Sequence, residues 1–112
     1  LIEVKKNKSA LMDELVPSEF FLSQNYPNPF KGKTTIKYCL SENAKVCLAI
    51  FNSKDEKVKE LFHKVQKAGT YETIIDSHDF PVGVYYYQLK AVDPKSGERE
   101  LFVKTKKMVL IK

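Results

Sequence analysis

The chain has no tryptophan, one arginine (Arg99), two histidines, two cysteines and four glycines in 112 residues. Each shortage excludes something. The glycines form no G-x-x-x-x-G-K-[ST] run, so no phosphate-cradling loop is expected. The net charge of +5 rests on lysines scattered along the chain, which reads as a solvated surface and not as a nucleic-acid footprint. No apolar run approaches the length of a bilayer span and no basic-then-apolar leader opens the chain, so no membrane insertion is expected of these residues. The first residue is Leu1 and not methionine, which reads as the tail of a longer protein whose export leader would lie upstream.

Catalysis is equally short of parts. A hydrolase needs a nucleophile with a base in reach. His63 falls in a lysine-rich stretch and His78 in a turn, neither with a sequence neighbour that would orient it, so both read as surface residues. Asp76, His78 and Asp79 fit no Ca²⁺-loop spacing, and loop acids ordinarily cap turns, so no metal or cofactor is expected. Cys39 and Cys47 lie far from metal-ligand spacing. They sit on the same parity of what reads as two paired strands, so a disulfide is a question of geometry, the alternative being two free thiols.

What the chain does have is a double-proline corner, Gln24-Asn25-Tyr26-Pro27-Asn28-Pro29-Phe30. Each proline fixes φ, lacks an amide donor and pushes the residue before it toward extended geometry, which rules out helix and central strand. The corner reads as a plug sealing one end of a β-domain, with Tyr26 and Phe30 each expected to find a pocket. Upstream, Leu11, Met12 and Leu15 hint at one helical turn after Ser9 that Pro17 stops.

Downstream, alternation at period two dominates. Strands are expected over Thr34–Leu40 and Lys45–Phe51 as a hairpin, over Thr70–Asp76 with both faces covered, and over Val84–Val92 with Tyr85, Tyr87 and Leu89 on one face. A return strand over Glu98–Thr105 follows the Asp93-Pro94-Lys95-Ser96-Gly97 turn, then a short one over Met108–Ile111. One stretch is contested. Val58, Leu61, Phe62 and Val65 recur at helical spacing, with Ser53 and Glu56 imitating a capping box and Gly69 a helix stop. A helix among short strands would need its own face of the core, so Lys57–Phe62 is read as strand. The fold class expected is all-β, an immunoglobulin-like antiparallel β-sandwich of about seven short strands, without the Cys and Trp hallmarks of true immunoglobulin domains.

Four ordered blocks carry a family resemblance. They are Asn25-Tyr26-Pro27-Asn28-Pro29-Phe30 with Thr34-Thr35-Ile36-Lys37-Tyr38; Ala68-Gly69-Thr70-Tyr71 with Asp76; Phe80-Pro81-Val82-Gly83-Val84-Tyr85-Tyr86-Tyr87-Gln88-Leu89; and Lys106-Lys107-Met108-Val109-Leu110-Ile111-Lys112. Together they resemble the C-terminal sorting domains of the type IX (Por) secretion system, type A. Two departures from that pattern are Lys31-Gly32-Lys33 where an Asn-Pro turn is usual after the Phe, and Val82 where a small polar residue is common.

The resemblance implies a sorting domain over residues 20–112, preceded by a linker over 1–19 from an upstream cargo domain. It implies that Lys106, Lys107, Met108, Val109, Leu110, Ile111 and Lys112 bind a partner, and that Tyr26 to Phe30, Gly69, Tyr71, Pro81, Gly83 and Tyr85 are structural. The partners implied are the outer-membrane translocon, its shuttle protein and a sortase. The route implied is export to the periplasm and then the cell surface or medium, with cleavage somewhere between Leu15 and Ser23. The work would be binding, with no enzymatic activity. Two other readings compete: a structural spacer like the immunoglobulin-like module of flagellar hook-capping proteins, and an adhesive or carbohydrate-binding module using Tyr85 to Tyr87.

Overall fold

Alternation at period two requires a cover for one face of each strand, and a short chain supplies it by laying one sheet on another. The computed structural model describes residues 16–112; the helical turn expected around Leu11 to Leu15 lies outside them. Seven strands run β1 (Phe21–Leu22), β2 (Lys33–Leu40), β3 (Ala44–Asn52), β4 (Lys57–Gln66), β5 (Gly69–Asp76), β6 (Gly83–Val92) and β7 (Glu100–Leu110). They form two antiparallel sheets, one ordered β1-β2-β5 and the other β4-β3-β6-β7. The result is an all-β sandwich of the expected class.

The core lies between the inner faces. Ile36, Tyr38 and Leu40 of β2 meet Val46, Leu48 and Ile50 of β3, with Tyr85, Tyr87 and Leu89 of β6 and Met108 and Leu110 of β7. Tyr38 links the two sheets: its ring stacks on Tyr71 of β5 and on Phe62 of β4, and its hydroxyl donates to Gln66 Oε1 at 2.7 Å. Burial pushes the Tyr38 and Tyr87 phenols up to about 12.

The hairpin expected of β2 and β3 is corrected: they belong to different sheets, and the connection between them crosses the sandwich. Their apolar faces meet across the core, an arrangement that alternation does not distinguish from side-by-side pairing. Cys39 and Cys47 therefore point outward from opposite sheets, and both are free thiols.

Three further corrections concern strand ends and faces. The two strands expected over Glu98–Thr105 and Met108–Ile111 are the single β7, because Lys104, Lys106 and Lys107 interrupt the apolar pattern without interrupting the ladder. The unforeseen β1 restores the count to seven. On β5, Ile75 is buried but Ile74 is 61 % exposed, so one face is covered and not two.

The contested stretch is a strand, and it runs on to Gln66. Register shifts between Leu48 and Ala49 and between Ile50 and Phe51 explain its helical spacing. Each bulge slips the parity of the pairing, so apolar residues on an irregular edge strand need not alternate.

Candidate recognition site

The double-proline corner changes sheets. Its first half continues along β2, where Ser23 N donates to Lys37 O and Tyr26 and Thr35 exchange both backbone bonds at 2.9 Å. Both prolyl bonds, Tyr26-Pro27 and Asn28-Pro29, are cis. Its second half joins the outside of β7 in the parallel sense, with Phe30 N donating to Val109 O at 2.9 Å and Ile111 N to Phe30 O at 2.8 Å.

A buried polar cluster holds the crossing. Asn25, only 2 % exposed, donates from Nδ2 to Pro27 O at 3.1 Å and to Thr34 Oγ1 at 3.0 Å, while Thr34 Oγ1 donates to Pro27 O at 2.8 Å. Tyr87 donates its hydroxyl to Ser23 O at 2.6 Å. Every one of these groups would cost free energy if buried alone, so the cluster makes one geometry strongly preferred. Phe30 then fills the core at the crossing, 1 % exposed, as the plug reading requires. Tyr26 does not: it is 81 % exposed, because its rung with Thr35 and Ile74 faces out of the three-stranded sheet.

The terminal strip divides by parity. Met108 and Leu110 are core; Lys106 and Val109 are half-buried; Lys107, Ile111 and Lys112 are exposed. The corner occupies the outward backbone edge of this strip from Lys107 to Ile111. Gln24 Nε2 donates to Lys107 O at 2.6 Å and Val109 N donates to Asn28 Oδ1 at 2.9 Å, in addition to the two Phe30 bonds. What the strip leaves exposed over this stretch is side chains.

The remaining motif residues build one device twice. Tyr71 lies two residues after Gly69 and its hydroxyl donates to Lys67 O, while Tyr85 lies two residues after Gly83 and donates to Pro81 O at 2.6 Å. In both, the ring lies over the glycine and ties the loop before the strand to the strand itself. Tyr85 and Tyr87 are thus committed to the core, which removes the triplet as a stacking platform.

Cys47 donates toward Glu60 Oε1 at 3.6 Å, and burial followed by the Glu60 charge pushes its thiol up, the opposite of an activated nucleophile. His78 does have an orienting partner, contrary to the sequence reading: Asp76 Oδ1 lies 2.7 Å from its Nδ1 and accepts from its backbone N–H at 3.0 Å. That N–H, and then the imidazole, hold the Asp76 carboxyl below its usual range. Among the described residues no group of three His, Cys, Asp or Glu side chains could hold a metal ion.

The polar locks of Asn25, Thr34, Gln24 and Tyr87 were missed by sequence reasoning. Only the asparagines carried a signal, since asparagine beside proline favours turns held by its own side chain. A family model described as a secretion system C-terminal sorting domain matches residues 24–109. No curated protein and no solved structure matches the chain.

Proposed function

The chain belongs to the family of secretion system C-terminal sorting domains and is a C-terminal sorting signal for type IX secretion, and on that premise we propose how it is read and released. The family is not one of enzymes, and its role entails interaction with the type IX machinery and passage across the outer membrane to the surface or the medium. In our reading the domain spans residues 20–112 and waits in the periplasm attached to an upstream cargo. The outer-membrane translocon and its shuttle protein recognise it through Lys106 to Lys112, a sortase removes it, and it performs no chemistry itself.

One observation carries this reading: the terminal strip is locked in a fixed pose by the corner, so its exposed side chains are presented as a surface that a receptor can read without ordering a tail. Phe20 supports the boundary, since its ring stacks on Phe102 at 5.5 Å whereas Val16, Ser18 and Glu19 are exposed. Cleavage between Leu15 and Glu19 would spare the fold; beyond Phe20 it would cut into packed chain.

Deleting Met108 to Lys112 is a poor test, because it removes two core residues. Better is the cargo-bearing full-length protein with Lys107→Glu, Ile111→Asp and Lys112→Glu together. The reading predicts that cargo accumulates in the periplasm with the domain still folded by circular dichroism. Normal extracellular yield from that variant would overturn recognition at the strip.

A further inference from the structure

A groove of about 260 Å³ opens at the end of the sandwich where the corner meets β7. Its walls come from three separate stretches: Lys31 on the loop after the corner, Phe80 and Val82 on the loop before β6, and Ile111 and Lys112 at the end of the strip. Two backbone bonds fix the walls, Ser77 N to Gly32 O at 2.7 Å and Ile111 N to Phe30 O at 2.8 Å. Val82 and Ile111 expose 55 % and 43 % of their surfaces beside it, and Lys31 and Lys112 have no ion-pair partner among the described residues.

We propose that this groove is what the secretion machinery reads, and that its occupant is a loop of a partner protein presenting one apolar side chain flanked by carboxylates. The proposal rests on the sorting reading above and narrows it: the address is a composite surface, of which the terminal strip is one wall. An incoming strand is excluded at Lys107 to Ile111 because the corner holds those backbone groups. Side-chain insertion is the mode left, the apolar walls selecting an apolar group. The unpaired lysines at the rim select acidic neighbours and speed their approach.

The test uses the full-length cargo-bearing protein with changes outside the strip, Lys31→Glu with Val82→Asp, and a milder pair, Lys31→Gln with Val82→Ser. Both replaced side chains are solvent-exposed, so the unfolding midpoint is expected to hold. Extracellular cargo is expected to fall roughly fivefold or more, as for loss of a central interface contact. Lys31→Arg is expected to be secreted normally. Should both pairs be secreted normally while Ile111→Asp with Lys112→Glu is retained, the groove is overturned and a linear strip stands. Normal secretion of every variant would overturn the recognition reading itself. Binding to vesicles containing anionic lipid, lost in the same variants, would also overturn the proposal by making the occupant a membrane surface.

Discussion

The four-stranded sheet has two edges, β4 and β7, and they are guarded by different means. An open edge is a template for unwanted pairing, so some defence is needed at each. On β4 the defence is its own: two register shifts distort the ladder, and Lys57 and Lys64 put charge along the strand. Lys64 even lies in the row of buried Val46, an inward-side lysine at the rim of the sandwich. At the end of β7 the defence is borrowed, since Gln24, Asn28 and Phe30 occupy the outward backbone groups from Lys107 to Ile111. A self-guarded edge weakens one side chain at a time. A borrowed guard is coupled to everything that holds the borrowed segment, which is why the end of the chain and its double-proline corner behave as one unit.

Phe30→Ala should break that contrast most. Removing a buried phenylalanine costs about 3–5 kcal/mol by transfer and cavity terms together. Hydrogen exchange should then quicken at Val109 and Ile111 well before it does along the β3–β4 ladder; equal loosening at both edges would refute the coupling. Asn25→Ala should cost about 1–3 kcal/mol in denaturant unfolding, because it strips the buried cluster of donors to Pro27 O and Thr34.

Tyr87→Phe and Tyr38→Phe form a matched pair, each losing a hydroxyl bond worth about 1 kcal/mol. The first frees the corner at Ser23 and the second frees the end of β4 at Gln66, so exchange should rise at opposite edges. They also carry a pH signature. Both phenols are protonated in the folded and unfolded states below pH 10, and each is raised to about 12 in the fold. Their contribution is therefore complete below pH 10 and is lost as pH rises toward 12, since only the unfolded phenol ionises in that window. Either variant should flatten the alkaline fall in unfolding midpoint; an unchanged slope would show that these phenols do not govern it. The smallest effect belongs to Lys64→Val. Stability should move by less than about 0.5 kcal/mol, with its contact over the Phe62 ring at 5.4 Å lost, yet sedimentation should reveal self-association through the unguarded β4 edge.

Much was legible beforehand for reasons visible in particular residues. Ile36, Tyr38 and Leu40 alternate with polar partners, so their strand and its buried face follow from period two. Tyr85 and Tyr87 are assigned inward by the same parity, and β4 is a strand despite its helical spacing. The corner was legible because proline chemistry is local. Illegible were the fates of its aromatics: Phe30 enters the core and Tyr26 faces solvent, and nothing local separates them. Illegible too were the partners of the terminal strip, since Gln24 Nε2 reaches Lys107 O from 83 positions away.

The amino-acid order by itself determined most of the extended segments, the parity of most of their apolar faces and the rigid corner, because each depends on neighbours within a few residues. Only the tertiary structure decided that β2 and β3 face each other across the core, that β7 is unbroken, and that the corner covers the last stretch of its edge. Alternation says which side of a strand is buried and is silent about which strand buries it; that choice is made by long-range pairing, where hydrogen bonds and packed area are weighed over the whole sandwich at once.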